Sequence, residues 1–225
     1  MFSSVGKIPF VKQIPLILLA LLTHAANADS LDWFRKAVIP ARGGLFFAER
    51  VELSVPHFKQ DDESWKSDKL GGTSATLRKA GCAVTAAAMV LNYYGIETNP
   101  KQLNQFLKEN GGYTGRGWIR WEKVAEIIPN RIRHAYEDLP SFNLIDTNLK
   151  NGNPVIVSFK SYRGVSHFVV IVGKEGLDYL IADPGSDSKK KGVYKLSEAA
   201  KEITALRFFQ PLSESSTEKI SNRSK

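Results

Sequence analysis

Residues 81–95 read Gly-Cys-Ala-Val-Thr-Ala-Ala-Ala-Met-Val-Leu-Asn-Tyr-Tyr-Gly. Apolar residues recur at Ala83, Ala86, Ala87, Val90, Leu91 and Tyr94, an i, i+3, i+4, i+7 spacing that predicts a helix with one buried face. The alanines favour helix and permit close packing against a neighbour. Gly95 offers a left-handed stop just past the last periodic residue. Cys82 is the only cysteine of the chain and falls in the first turn. There, free backbone N–H groups and the helix dipole favour negative charge on sulfur. Gly81 before it lacks a side chain, which would let a substrate backbone come close. A lone cysteine on an apolar helix is equally an ordinary core residue, so its role must be decided elsewhere in the chain.

Upstream, residues 1–28 have the three parts of a secretory signal. Lys7 and Lys12 precede the apolar run 14–22, and Ala26-Asn27-Ala28 follows as an A-x-A cleavage site. A bilayer span needs about 20 apolar residues, so no stable membrane anchor is expected. The expected location is periplasmic or secreted, after cleavage following Ala28. The two lysines lost with this segment lower the formal charge from +8 to +6. With no nucleic-acid motif, that mild excess reads as a solvated surface, and no nucleic-acid partner is expected. Outside the cytoplasm a single cysteine has no intramolecular partner and is prone to oxidation, which favours a reactive thiol over filler.

Downstream, Asn99-Pro100 reads as N-cap and first residue of a helix whose buried stripe is Leu103, Phe106 and Leu107. The glycine-rich loop 111–117 lacks the lysine and preceding strand of a phosphate cradle. A third helix carries Trp121, Val124, Ala125 and Ile128 up to Pro129, and a fourth covers 142–150, closed by Asn151-Gly152. From Pro154 the pattern changes to short β-branched runs at 155–159, 168–172, 177–181, 192–196 and 204–209. Residues 51–58 form a further expected strand leading to Gln60, and 61–81 a surface excursion. Helices first and antiparallel strands second give an α+β domain. The expected organisation is a signal peptide at 1–28, an N-terminal extension at 29–50 with a short helix at 31–38, one domain at 51–210, and a disordered tail at 211–225. Lys189-Lys190-Lys191 reads as a solvated loop.

His57 and His134 read as structural or solvated. His167 begins the run 168–172, and Lys174-Glu175-Gly176 fits a three-residue hairpin loop with glycine left-handed. In that register His167 faces Asp183, close enough for imidazole and carboxylate to bond; a one-residue slip would separate them. Alone, Asp183 before Pro184-Gly185 would be a turn aspartate. Cys, His and Asp together make a nucleophile, a base and an orienting group. The Cys82 N–H and the Gln60 amide are candidate oxyanion donors. One cysteine and scattered histidines make a metal site weak. No metal or other cofactor is expected.

The chain resembles the papain-like cysteine peptidases of the bacteriocin-processing, double-glycine leader type, in a stand-alone exported form. The resemblance rests on Val55-Pro56 with Gln60, on 81–85 and 88–95, and on Pro100 with Leu103. It continues through Gly111-Gly112-Tyr113, 152–156, 167–171 and Asp183-Pro184. It implies a papain-like fold, with a helical half bearing the cysteine at a helix N-terminus packed on an antiparallel sheet. Cys82 would then be nucleophile, His167 base, Asp183 orienting residue and Gln60 oxyanion donor, acting on a peptide or protein through a thioester. The gap from Gln60 to Cys82 is longer than in leader peptidases fused to exporters, a departure that bears on the placement of Gln60; with an export signal and no transporter domain expected, double-glycine cleavage is not implied. Gly81, Gly112, Tyr113, Trp118 and Ser166 are candidate substrate contacts, with Arg116 near the groove and Trp121 in the core. The same triad could instead serve an acyltransferase or a peptidoglycan amidase, and the scaffold could be a binding module.

Overall fold

The computed structural model describes residues 38–161, 164–185 and 192–212. The expected signal segment, the lysine loop at 189–191, and all but the last residue of the helix expected at 31–38 lie outside the described residues; so does the tail expected at 211–225, except that Pro211 ends a strand and residue 212 follows it.

At the centre is the cysteine helix, here α2 (Cys82–Tyr93), led in by the single turn α1 (Leu77–Ala80). Every residue from Cys82 to Leu91 is buried, so the expected single buried face is corrected to burial all round. Alanine makes this possible: small, apolar side chains on every side admit neighbours on every side. Gly95, at φ +74°, turns the chain away after the helix. α3 (Pro100–Glu109) begins as expected, with the Asn99 side chain accepting from the Gln102 N–H at 3.0 Å. α4 (Trp121–Ala125) is one turn long and stops short of Ile128, and α5 (Phe142–Lys150) ends at Gly152, φ +73°.

The strands are β1 (Ile39–Pro40), β2 (Arg42–Glu52), β3 (Ile132–Asp138), β4 (Val155–Lys160), β5 (Ser166–Ala182), β6 (Val193–Lys195), β7 (Glu202–Ile203) and β8 (Ala205–Pro211). The main sheet is antiparallel, in the order β2-β5-β4-β8-β3, with β6 paired to the end of β5 and β1 pairing β7 separately. Alternation along β4 and β5 serves two layers. Ile156, Val170, Val172, Leu180 and Ala182 face the core built on α2; Val155, Val157, Val169, Ile171 and Ile181 face α5 through Ile145 and Leu149. Burial on both faces is why these strands read as continuous apolar runs.

Three expectations change. The sheet takes in residues 42–50, set apart by sequence as an extension. The expected strand at 51–58 ends instead at Glu52: Val55 N–H turns back to the Leu53 carbonyl at 2.8 Å, and Pro56 has no N–H to offer a ladder. The stretch holding His134, which the sequence leaves as a link between the third and fourth expected helices, is an edge strand, β3, paired with β8.

Candidate active site

β5 carries the decisive geometry. Seventeen residues in a straight strand would span about 55 Å at about 3.3 Å each, yet the side chains of its second residue and of the residue just beyond its end meet. His167 Nε2 lies 2.6 Å from Asp183 Oδ1. The run therefore folds back on itself, with Gly176 at φ +60° supplying the left-handed position at the tip. Asp183 is fully engaged: Oδ1 also accepts from the Gly185 N–H at 2.7 Å, and Oδ2 accepts from the Tyr194 hydroxyl at 2.5 Å. The turn-aspartate role and the histidine-partner role are thus held by one carboxylate.

Cys82 enters from α2, with 9% of its surface exposed and the His167 ring within hydrogen-bonding reach of its sulfur. Burial alone would lower the His167 pKa. The hydrogen bonds and charges of Asp183 and Cys82 outweigh it and raise the value to about 10. Burial likewise works to raise the Asp183 pKa, but the His167 bond and charge, with the Tyr194 and Gly185 bonds, hold it at about 2. Both shifts favour an imidazolium–carboxylate pair at neutral pH beside a sulfur at a helix start. The Phe159 ring stands edge-on to the imidazole at 5.4 Å and shields one side.

Gln60 is buried, and its placement is set by the excursion that follows it. The chain turns out and returns through the Lys69–Thr76 bridge into α1, which brings the Arg78 carbonyl to Gln60 Nε2 at 2.8 Å. Arg78 uses one of the two amide hydrogens. Oε1 is buried with no hydrogen-bond partner among the described residues.

The expected substrate contacts divide. A Cβ on Gly81 would strike the Leu77 carbonyl, and one on Gly112 would strike the Leu107 side chain, so both glycines answer to internal packing. Tyr113 donates to Asn104 Oδ1 at 2.6 Å, and burial raises its pKa. Its ring also borders a recess of about 430 Å³ with Gly71, Gly72, Gly111 and Gly115. Trp118 is 64% exposed, with the Arg116 guanidinium 5.4 Å over its ring. Ser166, exposed beside His167, accepts from Lys160 Nζ at 2.9 Å. Trp121 is buried, as expected, 5.4 Å from the Phe168 ring.

Two participants escaped the sequence reading. Tyr194 comes from β6, a strand with no motif. His57, read as structural or solvated, has its Nε2 2.7 Å from the Asp183 carbonyl oxygen. Only the alternation of His57 and Lys59 before Gln60 could have hinted at this.

A crystal structure of a candidate C39-like peptidase from Bacillus anthracis aligns with a TM-score of 0.42 and 18% identity, over 73% of this chain and all of that one. No curated protein sequence matches the chain significantly. The family model described as the Peptidase_C39 like family matches residues 52–211, which takes in Gln60, α2, the β5 hairpin and Asp183. The chain belongs to the Peptidase_C39 like family.

Proposed function

We propose that the protein is an exported thiol peptidase in which Cys82 is the nucleophile, His167 the base and acid, Asp183 the orienting group and Gln60 an oxyanion donor. The observation that carries the reading is the 2.6 Å bond between His167 and Asp183, with Cys82 at the start of α2 acting on the same imidazole. In this reading the sulfur attacks the scissile carbonyl carbon, and the Cys82 N–H and the second Gln60 amide hydrogen receive the oxyanion. His167 delivers its proton to the leaving amine. Water, deprotonated by His167, then cleaves the thioester and releases the acid. The Trp118 and Tyr113 surfaces and Ser166 would contact the peptide on either side. The features of residues 1–28 support action outside the cytoplasm.

The test is the rate of Cys82 alkylation by iodoacetamide against pH, beside cleavage of a quenched peptide library. Cys82 should react at pH 6 at least tenfold faster than free cysteine, whose thiolate is scarce there. His167→Ala should abolish that advantage, and library cleavage should leave free acid termini. A thiol as slow as free cysteine and indifferent to His167 would refute the peptidase and leave a binding scaffold. Acyl products on an added amine in place of acid would point to transfer. N-terminal sequencing of the exported protein, expected to start at Asp29, tests the location.

A further inference from the structure

Residues 57–60 and 183–185, far apart in sequence, are fastened side by side. Lys59 Nζ donates to the carbonyls of Asp183 and Gly185, each at 3.1 Å, and the Gln60 N–H donates to the Pro184 carbonyl at 2.9 Å. With the 2.7 Å contact from His57, the Asp183 carbonyl receives two side chains. A carbonyl cannot donate, so the His57 ring supplies the proton, as its Nε2–H tautomer or as imidazolium. The spacing explains the geometry. Residues two apart in extended chain point the same way, so His57 and Lys59 both reach the turn. Phe58 between them packs edge-on to Trp65 at 6.1 Å, and Trp65 Nε1 holds the Lys59 carbonyl at 2.8 Å. The segment belongs to no regular strand, so these bonds rather than a ladder set its place.

We infer that His57 and Lys59 are positioning residues that lock the Asp183-Pro184-Gly185 turn to the Gln60 segment, so that the carboxylate orienting His167 and the oxyanion amide are set as one unit. This rests on the reading of Cys82, His167 and Asp183 as the catalytic set. Both side chains bond the backbone of the turn. They act through Asp183, whose side chain is thereby aimed at His167. Among the described residues, the groups facing His167 are the Asp183 carboxylate, the Cys82 sulfur, the Phe159 ring and Gly185, with Tyr194 behind Asp183. A movement of the turn therefore registers in the imidazole. A plain surface tie would change stability alone.

The test is an NMR titration of the His167 imidazole in the purified protein and in His57→Ala, His57→Gln and Lys59→Met, with thermal unfolding of each. His57→Ala should lower the His167 pKa by about one pH unit or more as the carboxylate drifts. Glutamine, whose Nε2 reaches the same carbonyl, should restore most of that loss, and Lys59→Met should give a smaller shift. Alkylation of Cys82 at pH 6 should fall in the same order. An unchanged His167 titration in the variants that fold, whatever their unfolding temperatures, would overturn the proposal. A slow Cys82 in the parent protein would instead overturn the peptidase reading, while the titration would still decide this one.

Discussion

The Asp183 carboxylate has three partners, one of them His167, and the pH dependence of stability should report that pair. His167 is raised from 6.5 to about 10, so its contribution is complete below 6.5 and fades as pH climbs through 10. Asp183 is lowered from 3.8 to about 2, so its contribution is complete above 3.8 and fades as pH falls through 2. Asp183→Asn removes the second and, of the first, all but the share that Cys82 contributes. The gap in unfolding temperature between parent and variant should be widest between about pH 4 and pH 6.5, and narrow on either side. Calorimetry across pH 2–10 would check this, and a gap that widened from pH 6.5 towards 10 would contradict the pairing. At this scale the sequence was legible where a local rule linked residues: the left-handed Gly176 brings His167 back to Asp183. It was silent where the partner came from a distant segment. Nothing near Tyr194 marks it as a neighbour of Asp183, and for His57 the alternation with Lys59 is the single hint. The reason for Gly81 and Gly112, a clash with Leu77 and Leu107, exists only once their turns have formed.

The hairpin tip shows a different limit of sequence reading. Lys174 reads as a loop residue, and loop lysines are normally solvated, yet it is wholly buried. Its ammonium donates to Asp146 Oδ1 at 2.6 Å and to the Gly43 carbonyl at 2.7 Å, and the Tyr179 hydroxyl donates to the same Asp146 oxygen at 3.0 Å. Asp146 Oδ2 accepts from the Leu45 N–H at 2.7 Å. Three elements are thus tied at one point: β2 through Gly43 and Leu45, α5 through Asp146, and β5 through Lys174 and Tyr179. Burial lowers the lysine pKa against the pull of Asp146. Lys174→Met should cost about 3–5 kcal/mol, since it strands a buried carboxylate. Asp146→Asn in the same chain should recover part of that loss, because the remaining amide no longer carries charge. Urea unfolding of the two single variants and the double variant measures the coupling. Equal losses that simply add would show that the pair is not a unit. Helices and inner strands were otherwise readable from period and caps, because burial on both faces writes itself as apolar runs. β3 was not, because an edge strand keeps polar residues on its open side.

Across the whole molecule the site depends on two layers meeting at one edge. α2 presents Cys82 from among the helices, and the sheet presents His167 and Asp183 from the β5 hairpin. The seam is the apolar surface of Val170, Val172, Leu180 and Ala182 against α2. What braces the hairpin from the far side is β2, which pairs along it from Arg42 opposite Asp178 to Glu52 opposite Gly173. Most of β2 lies before residue 52, where the family match begins. A chain shortened to start at Val51 would lose that brace, the Gly43 carbonyl beneath Lys174 and the Leu45 N–H on Asp146. It would also open an edge of β5 to pairing with other chains. Compared with a chain starting at Val38, it should unfold at lower urea and aggregate more readily. Its Cys82 should lose much of its alkylation advantage at pH 6, because the hairpin that carries His167 and Asp183 would no longer be held. Equal urea midpoints and equal alkylation rates in the two chains would mean that residues 38–50 are an appendage, and that the family's matched segment alone sets the site.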